Sequence, residues 1–419
     1  MGPDQPATSP RICVDGDSGN DLQDPRMPPS PPVPSFSNAF VSSPWDIVPS
    51  HSYAAAAVSP YRCLTTVTKR CGRILSLALS DAGLLYAGTE SKAILVWRHQ
   101  GFFEISRLRS GSGGVGALHV ASKDGLVFSA HADLKVRVWS SKPFHVRMGT
   151  LPSSKDFLIE ACRGRTKKAL MKFSASHSYT MFGGARNRVR HSGAITSLAY
   201  DPAAKLLYSA SSDGSIKVWS VKEMKCVETV EAHDGSVSAL AFGPDGVVFS
   251  GSDDCTVKIW LRSAVEKRSH RLLLEVSCQG SPVTCIAVSA EGTGVGGSNE
   301  LEIGEGYILY AGCSDGNVRY WKKGEEAGGI AMAYLGCLRG HSHEVLCLAA
   351  VEKLLVSGSA DASVRVWRRS GDGLAAHECT AVLCGHIGPV KALAATVEGE
   401  EAYLVYSGSL DGSVKQWRV

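Results

Sequence analysis

Histidine, serine and aspartate recur along this chain at fixed offsets from tryptophan, and together these residue types can form the proton relay of a serine hydrolase. Seven of the eight tryptophans end a similar phrase, from Trp97 to Trp417. Aspartate lies six residues before the tryptophan in six of these phrases, and serine lies ten residues before it in five. So many copies in one chain indicate a structural repeat rather than one catalytic centre.

The same phrases indicate the elements that must position these residues. Each phrase, such as "YSASSDGSIKVW" ending at Trp219, places two short apolar runs around a tight turn. Successive tryptophans lie 42, 80, 41, 61, 46 and 50 residues apart. A period near 40–45 residues with four short strands per unit resembles the WD-repeat β-propeller. The sequence therefore predicts an all-β fold, a seven-bladed WD40 β-propeller over residues 61–419.

Four repeats carry a histidine four residues before the first apolar residue of the predicted innermost strand. The complete sets are His191, Ser209, Asp213 and Trp219; His233, Ser250, Asp254 and Trp260; His341, Ser357, Asp361 and Trp367; and His386, Ser407, Asp411 and Trp417. By resemblance to WD repeats, each set forms a tetrad with hydrogen bonds from aspartate to histidine, to serine and to the indole. A fully paired network of this kind fixes strand register, so we interpret the tetrads as structural.

The other three repeats have incomplete tetrads. The replacing residues are Ala87, Ser91 and Arg70 in the first repeat, Gly111 in the second, and Ala311 and Gln279 in the fifth. No HExxH or P-loop motif is present, so we predict a protein that is not an enzyme and needs no cofactor or metal. The thirteen cysteines include no Cys-x-x-Cys pair, and we interpret them as reduced, mostly core residues.

The C-terminal phrase raises the question of what pairs with its last strand, because folded proteins rarely leave a sheet edge bare. Each repeat begins with the outer strand of the preceding blade, so the seventh blade needs one more strand. Residues 61–68, "YRCLTTVT", directly precede the first innermost strand. We predict that they pair with the C-terminal strand and close the ring, giving a monomeric propeller.

Residues 1–60 differ in composition from the rest of the chain. They hold 12 of the 18 prolines, six aspartates and two arginines, with no lysine or glutamate. Such a segment cannot bury enough apolar surface to offset its ordering entropy, so we predict a disordered, acidic Pro/Ser-rich tail. It has no signal-peptide pattern, and no apolar run in the chain is long enough to span a membrane.

Two enlarged loops interrupt the repeats. The loop of residues 290–306 is glycine-rich, and the insertion of residues 152–190 holds nine lysines and arginines against two acidic residues. The insertion shares one face of the ring with the histidine loops and aspartate turns. A solvated loop, an acidic partner and nuclear import or nucleic-acid contact all fit its charge, although few aromatic residues argue against nucleic acid. The candidate partner-binding residues on this face are Arg163, Arg165, Lys167, Lys168, Asp234, Asp253, His343, Glu344, Ile387 and Leu410.

Several phrases narrow the resemblance further. The strand "SPYRCLTTVT", the phrases "GTLPSSKDFL" and "VLCGHIGPVKALA", and the insertion between blades two and three are similar to the JINGUBANG-like family of plant WD-repeat proteins. This resemblance implies a scaffold in the nucleus and cytoplasm that regulates pollen germination and tube growth with transcription-factor partners. A substrate receptor of a cullin-type ubiquitin ligase and a trafficking or cytoskeletal adaptor remain as alternatives. None of the seven tryptophans is followed by aspartate, which argues against the ligase receptor.

Overall fold

The chain folds as a ring of small antiparallel sheets. The computed structural model describes residues 61–68, 72–109, 111, 113–142, 145–153, 189–263, 269–290, 306–326, 329–370, 376–399 and 402–419. Within these ranges twenty-eight strands form seven four-stranded sheets, and the helical structure consists of two three-residue 3₁₀ turns. The predicted seven-bladed all-β propeller is confirmed.

Each blade runs from an innermost to an outermost strand, with neighbouring strands antiparallel. The first strand of the described residues is β1 (Arg62–Thr68). Blade one follows with β2 (Ile74–Leu79), β3 (Leu84–Thr89), β4 (Ala93–Arg98) and β5 (Phe103–Arg109), and blade two with β6 (Val115–Ala121), β7 (Leu126–His131), β8 (Val136–Ser140) and β9 (Val146–Leu151). Blade three contains β10 (Ile195–Asp201), β11 (Leu206–Ser211), β12 (Ser215–Ser220) and β13 (Lys225–Glu231).

The second half of the ring repeats this order. It contains blade four with β14 (Val237–Phe242), β15 (Val247–Ser252), β16 (Thr256–Arg262) and β17 (His270–Ser277); blade five with β18 (Val283–Ala290), β19 (Tyr307–Cys313), β20 (Val318–Glu326) and β21 (Gly329–Leu338); blade six with β22 (Val345–Val351), β23 (Leu354–Ser359), β24 (Val364–Arg369) and β25 (His377–Leu383); and blade seven with β26 (Val390–Val397), β27 (Tyr403–Ser409) and β28 (Ser413–Arg418).

Blade seven is completed by the start of the chain. Strand β1 pairs antiparallel with β28, with Cys63 opposite Trp417 and Thr68 opposite Ser413. The sheet order β1-β28-β27-β26 therefore gives blade seven its outer strand. The predicted closure by an N-terminal strand is confirmed, and it removes the edge that β28 would otherwise expose.

The hydrophobic core lies between the blades. The second strand of each blade is almost wholly buried, as in β11 and β23, because a neighbouring blade covers each of its faces. All seven phrase-ending tryptophans are buried. Side chains on the innermost strands also hydrogen-bond a backbone carbonyl of the next blade; these bonds join Ser76 to Val115, Thr196 to Val237, Ser238 to Val283, Thr284 to Val345 and Cys347 to Val390.

The predicted tail (1–60), nearly all of the basic insertion and residues 291–305 of the glycine-rich loop lie outside the described residues. Among the residues that are described, no helix is long and apolar enough to cross a membrane.

Candidate interaction face

The four predicted tetrads are assembled at the interior of their blades. In blade four, His233 Nδ1 lies 2.7 Å from Asp254 Oδ2, and His233 Nε2 lies 2.8 Å from Ser250 Oγ. The Trp260 indole N–H donates to the same Ser250 Oγ at 2.8 Å. One arrangement of protons satisfies every group: the indole donates to serine, serine to histidine Nε2, and histidine Nδ1–H to the carboxylate.

The other three tetrads keep this order with small differences. The serine-to-histidine and serine-to-indole distances are 2.7–2.9 Å in blades three, six and seven. Asp361 lies 2.8 Å from His341, and Asp411 lies 3.2 Å from His386. In blade three Asp213 is 3.4 Å from His191, which is closer to Ser215 Oγ at 3.1 Å. A hydroxyl two residues after the aspartate thus joins the network.

In blades four and seven, the electrostatics of the tetrad favour a neutral histidine beside an ionised aspartate. Burial opposes ionisation of Asp361, but hydrogen bonds from His341 and Ser363 outweigh it and hold the pKa of this carboxyl well below its usual range. Burial lowers the pKa of His233 and His386, and the neighbouring carboxylates only partly offset this effect. His233 and His386 therefore carry their Nδ1 proton toward the carboxylate without becoming an imidazolium.

The tetrads differ from a hydrolytic triad because a substrate cannot reach their serines. Ser209, Ser250, Ser357 and Ser407 are completely buried, and each hydroxyl already accepts the hydrogen bond of an indole. A nucleophilic serine must reach a substrate carbonyl, and these oxygens face only protein. The tetrads are therefore suited to structural support of the loops above them.

Blade two forms its network with a histidine that the sequence analysis missed. The loop histidine is absent, as Gly111 indicated, but His131 on β7 places Nε2 2.8 Å from Ser129 Oγ. The Trp139 indole donates to that same hydroxyl at 2.8 Å. Asp133 is not left alone either, because Arg137 forms an ion pair with it at 2.7 Å. The loop position of blade two lacks a histidine as predicted, and a strand position that the sequence analysis did not consider supplies one.

In blade five, as in blade two, an arginine pairs with the turn aspartate in place of the loop histidine. Arg319 lies four residues after the turn aspartate and bonds both oxygens of Asp315, at 3.2 and 2.7 Å. Cys278 and Cys313 are both completely buried beside this pair. An arginine four residues after the turn aspartate occurs in blades two, five and six, so the sequence signal that could have revealed this substitution is that arginine together with the missing loop histidine.

The described residues of blade one show neither device. Thr89 Oγ1 lies 2.9 Å from Ser91 Oγ and donates to the Ala93 carbonyl at 2.9 Å. The indole of Trp97 instead stacks on Phe102, with ring centroids 5.6 Å apart. Arg70, the residue predicted at the histidine position, lies outside the described residues.

The histidine loops and aspartate turns form one face of the ring, which we call the His–Asp face. In all seven blades, the residue that directly follows the second strand donates a backbone hydrogen bond to the loop before the innermost strand. The bonds run from Glu90 to Arg73, Ala132 to Gly114, Ser212 to Ala194, Asp253 to Ser236, Ser314 to Pro282, Ala360 to Glu344 and Leu410 to Pro389, at 2.9–3.1 Å. Each loop is thus fixed to its turn.

Glycine in the turn also links this face to the next blade. Gly214 has φ +81°, and a Cβ there would lie 2.6 Å from the His233 carbonyl oxygen. The Gly214 carbonyl in turn accepts hydrogen bonds from the backbone N–H groups of Ala232 and His233 at 3.1 Å. Only glycine combines this backbone angle with so close an approach.

The candidate partner-binding residues divide into two groups. Asp234, Asp253, His343, Glu344 and Ile387 are exposed, and Leu410 is half-buried. Each lies within three residues of a tetrad histidine or aspartate, so the structure brings these six to the His–Asp face. Arg163, Arg165, Lys167 and Lys168 lie outside the described residues.

The face is mixed in polarity, and Ile387 differs most from its surroundings. Its side chain is 93% exposed, the highest value among the exposed large apolar residues described. Its backbone N–H donates to Asp411 Oδ2 at 3.0 Å, immediately after the tetrad residue His386. An apolar side chain is therefore presented on a rigid loop.

A second network, between blades, was not predicted. Tyrosines eleven residues before the tryptophan in blades one, three, five and seven bond histidines of the following blade; the pairs are Tyr86–His145, Tyr208–His270, Tyr310–His377 and Tyr406–His99, at 2.8–3.2 Å. Blades two, four and six have Phe128, Phe249 and Val356 at the tyrosine position. These pairs attach an outer part of one blade to the core of its neighbour.

The cysteines differ in part from the expected core role. Cys278, Cys285, Cys313 and Cys347 are buried, whereas Cys63, Cys379 and Cys384 are exposed. The ten cysteines in the described ranges are free thiols. No group of three or more potential metal ligands occurs among the described residues.

Comparison with known proteins agrees with this geometry. The WD40 repeat family (WD domain, G-beta repeat) matches residues 185–220, 224–260, 332–368 and 377–418, which include all four complete tetrads. The chain is a seven-bladed propeller with WD40 repeats. The matched segments of this WD40 propeller are those with the full set of repeat residues, and blades one, two and five fall outside them.

Several known proteins share part of the WD40 propeller's sequence. "Zinc finger CCCH domain-containing protein 62" of Arabidopsis thaliana is 28% identical over 194 residues, 46% of this chain and 41% of that protein. "DENN domain and WD repeat-containing protein SCD1", also of Arabidopsis thaliana, is 25% identical over 54% of this chain and 17% of its own length. "p21-activated protein kinase-interacting protein 1-like" of Danio rerio is 25% identical over 55% of this chain and 54% of its own length. The chain thus spans about half or less of these relatives.

Proposed function

We propose that this WD40 propeller is a non-enzymatic scaffold that binds a protein partner on its His–Asp face. The observation that carries the proposal is Ile387, an aliphatic side chain that is 93% exposed on a loop fixed by the tetrad of blade seven. Protein interfaces typically place apolar anchors within a polar rim, and preorganised anchors bind at a lower entropic cost. WD40 propellers typically act as protein-interaction scaffolds.

Other exposed residues of the His–Asp face add polar contacts. Asp234 and Asp253 lie on blade four, and His343 and Glu344 lie on blade six, all exposed on the same face. Exposed charges of this kind contribute mainly specificity and association rate. The basic residues Arg163, Arg165, Lys167 and Lys168 belong to an insertion that enters β10 beside this face, and we propose that they attract an acidic segment of the partner.

The regulatory role is proposed from the sequence resemblance. The phrases shared with the JINGUBANG-like family support a regulator of pollen germination and tube growth in plants, with transcription factors as partners. On this proposal the protein acts in both nucleus and cytoplasm and works as a monomeric ring. Sequence similarity to two Arabidopsis proteins is compatible with a plant source.

The test is co-purification of partners with the full-length tagged chain from pollen. Ile387→Asp should lose the partners that the unsubstituted chain retains, because a charge replaces the anchor. Val397→Asp is the matched control, since Val397 is also an exposed aliphatic residue but ends β26 at the opposite side of the ring. Both variants should keep the melting temperature of the unsubstituted chain.

The same experiment separates the alternatives. Recovery of the same partners with Ile387→Asp would move the binding site away from this face. Cullin adaptors, or coat and actin proteins, among the captured proteins would replace the transcription-regulator proposal with one of the other two classes.

The contribution of the basic insertion to partner binding is tested separately. Replacing Arg163, Arg165, Lys167 and Lys168 together with alanine should weaken partner binding most at low ionic strength, because salt screens attraction between solvent-exposed charges. Binding by this variant that is equal to the unsubstituted chain at every salt concentration would remove the insertion from the proposal.

A further inference from the structure

The outer strand of blade five differs from the six other outer strands. Strand β21 is ten residues long, whereas the others have six to eight residues. Its sequence, "GIAMAYLGCL", contains no charged residue and no histidine. Every other outer strand carries at least one; examples are Arg62 on β1, Arg147 on β9, Glu228 on β13, Glu275 on β17 and Glu378 on β25.

This difference matters because outer strands are sheet edges. An edge strand presents a row of unpaired N–H and C=O groups, and natural proteins usually protect such edges with charges, especially lysine. Strand β21 pairs with β20 on one side only, from Val318 opposite Leu338 to Glu326 opposite Gly329. Its backbone makes no hydrogen bond to any other element among the described residues.

Only part of β21 is covered by the neighbouring blade. Ile330 and Met332 pack against the core between blades four and five. Ala333, Tyr334 and Leu335 are exposed, with Tyr334 47% and Leu335 39% accessible. Trp321 supports Tyr334 from β20, with ring centroids 5.7 Å apart. The edge of β21 is therefore apolar and held in a rigid sheet, and it is exposed from Ala333 to Leu335, half-buried at Gly336 and Cys337, and buried at Leu338.

The charges beside this edge indicate the chemistry of its occupant. Lys322 lies opposite Ala333 and Lys323 opposite Met332 on the adjacent strand β20. Arg339 directly follows β21 and is exposed. The acidic residues of β20, Glu325 and Glu326, lie at the other end of the strand, opposite Ile330 and Gly329. An incoming strand along Ala333–Leu338 would thus meet positive charge at its flanks.

We propose that β21 is a second interaction surface, at which an extended, apolar segment of a partner protein with acidic flanking residues adds as a fifth strand to blade five. Main-chain hydrogen bonds supply affinity in this mode of recognition, and side-chain neighbours supply specificity. Tyr334 and Leu335 offer the apolar contacts, and Lys322, Lys323 and Arg339 attract the acidic flanks. The surface is separate from the His–Asp face and does not depend on it.

A second copy of the chain fits this edge less well. A two-fold pair of β21 strands would bring together two sets of Lys322, Lys323 and Arg339 with the same sign of charge. Like charges in a closed interface cost free energy, whereas acidic flanks on a different chain neutralise the site. Charge complementarity therefore favours a strand from a different protein over a second copy of β21.

The test uses the full-length chain and a fluorescein-labelled peptide of alternating valine and threonine with two aspartates at each end. We expect the peptide to bind, and Ala333→Glu to weaken it by about tenfold or more, because the new carboxylate repels the flanks and protects the edge. The matched control is Thr68→Glu, a similar exposed position on the outer strand β1, which should bind as the unsubstituted chain does.

A second peptide tests whether the backbone is what is recognised. Methylation of alternate backbone nitrogens keeps the side chains but removes the donors, so it should abolish binding. Undiminished binding of the methylated peptide, equal binding by Ala333→Glu with an unchanged melting temperature, or no binding of the first peptide to the unsubstituted chain would each overturn the proposal. A dimer of the unsubstituted chain in sedimentation that Ala333→Glu abolishes would also overturn it, in favour of a second copy.

Discussion

At the scale of residues, the buried serine of a blade receives its histidine partner in two different ways. His233 reaches Ser250 from a loop seventeen residues earlier, whereas His131 reaches Ser129 from two residues later on the same strand. Both arrangements place an imidazole nitrogen 2.8 Å from the hydroxyl. What the blade requires is a hydrogen-bond partner for the buried serine, and the route by which it arrives is open to substitution.

Removing a tetrad histidine should destabilise the propeller. His341→Ala removes the acceptor of the Ser357 hydroxyl and one of the donors to Asp361 in a buried site, at a cost of about 1–3 kcal/mol in the free energy of unfolding. His343→Ala, a control two residues away on the exposed part of the same loop, should change stability little. Urea denaturation of both variants measures the difference, and equal losses would show that the tetrad contributes nothing specific.

The histidine of blade two should make stability depend on pH. Burial lowers the pKa of His131 to about 4, whereas the unfolded value is about 6.5. Below pH 6.5 the unfolded chain binds a proton that the folded chain excludes, so stability is full above pH 6.5 and falls as the pH drops toward 4. From pH 7 to pH 5 this one group should remove about 2 kcal/mol of the free energy of unfolding.

His131→Gln removes the titrating group and keeps a side chain that can hydrogen-bond Ser129. Urea denaturation at pH 7 and pH 5 should therefore show a smaller loss for this variant than for the unsubstituted chain. An identical loss in the two proteins would mean that His131 is protonated with equal ease in the folded and unfolded states.

At the scale of elements, the sequence predicted the strands well and their links less well. Each blade could be located because Trp219 and its counterparts end a phrase whose offsets are local in the chain. The pair Tyr208–His270 could not be found in this way, because its partners are 62 residues apart and belong to different blades. The length of β21 was also missed, since "GIAMAYLGCL" has no tryptophan phrase to mark its bounds.

The links between blades should have a measurable effect on stability. Tyr208→Phe removes the hydroxyl that lies 3.1 Å from His270 Nε2, in a buried position, and should cost about 1 kcal/mol. Tyr334→Phe is the matched control, because the same atom is removed from an exposed ring. The urea midpoint should fall for Tyr208→Phe alone, and a similar fall in both variants would assign the effect to something other than the link.

At the scale of the whole molecule, the ring depends on one pairing between distant parts of the chain. Strand β1 joins β28 across more than 340 residues, from Thr68 opposite Ser413 to Arg62 opposite Arg418. Seven blades otherwise contact only their neighbours, so this pairing is where the repeat array becomes a closed ring. The six described candidate residues lie on one face because of the same repetition, although the repeat alone did not reveal which of them, such as Ile387, is most exposed.

Truncation should show the importance of closure. Deleting residues 61–68 removes the outer strand of blade seven and should lower the melting temperature of the whole ring, because β28 becomes an unpaired edge. Deleting residues 1–55 leaves that strand in place and should hardly change the melting temperature. Equal melting temperatures for the two truncated proteins would contradict the role assigned to β1.

The tyrosine–histidine pairs have a consequence for the number of blades. Tyrosine occurs in blades one, three, five and seven, so the pattern has a period of two, yet a ring with an odd number of members cannot alternate perfectly. Blade one resolves the mismatch by carrying both partners, with Tyr86 bonded forward to His145 and His99 bonded backward to Tyr406. That frustrated junction coincides with the seam where the chain closes. Parity thus makes blade one unique, and we expect that a ring of this design with six or eight blades could alternate without such a junction.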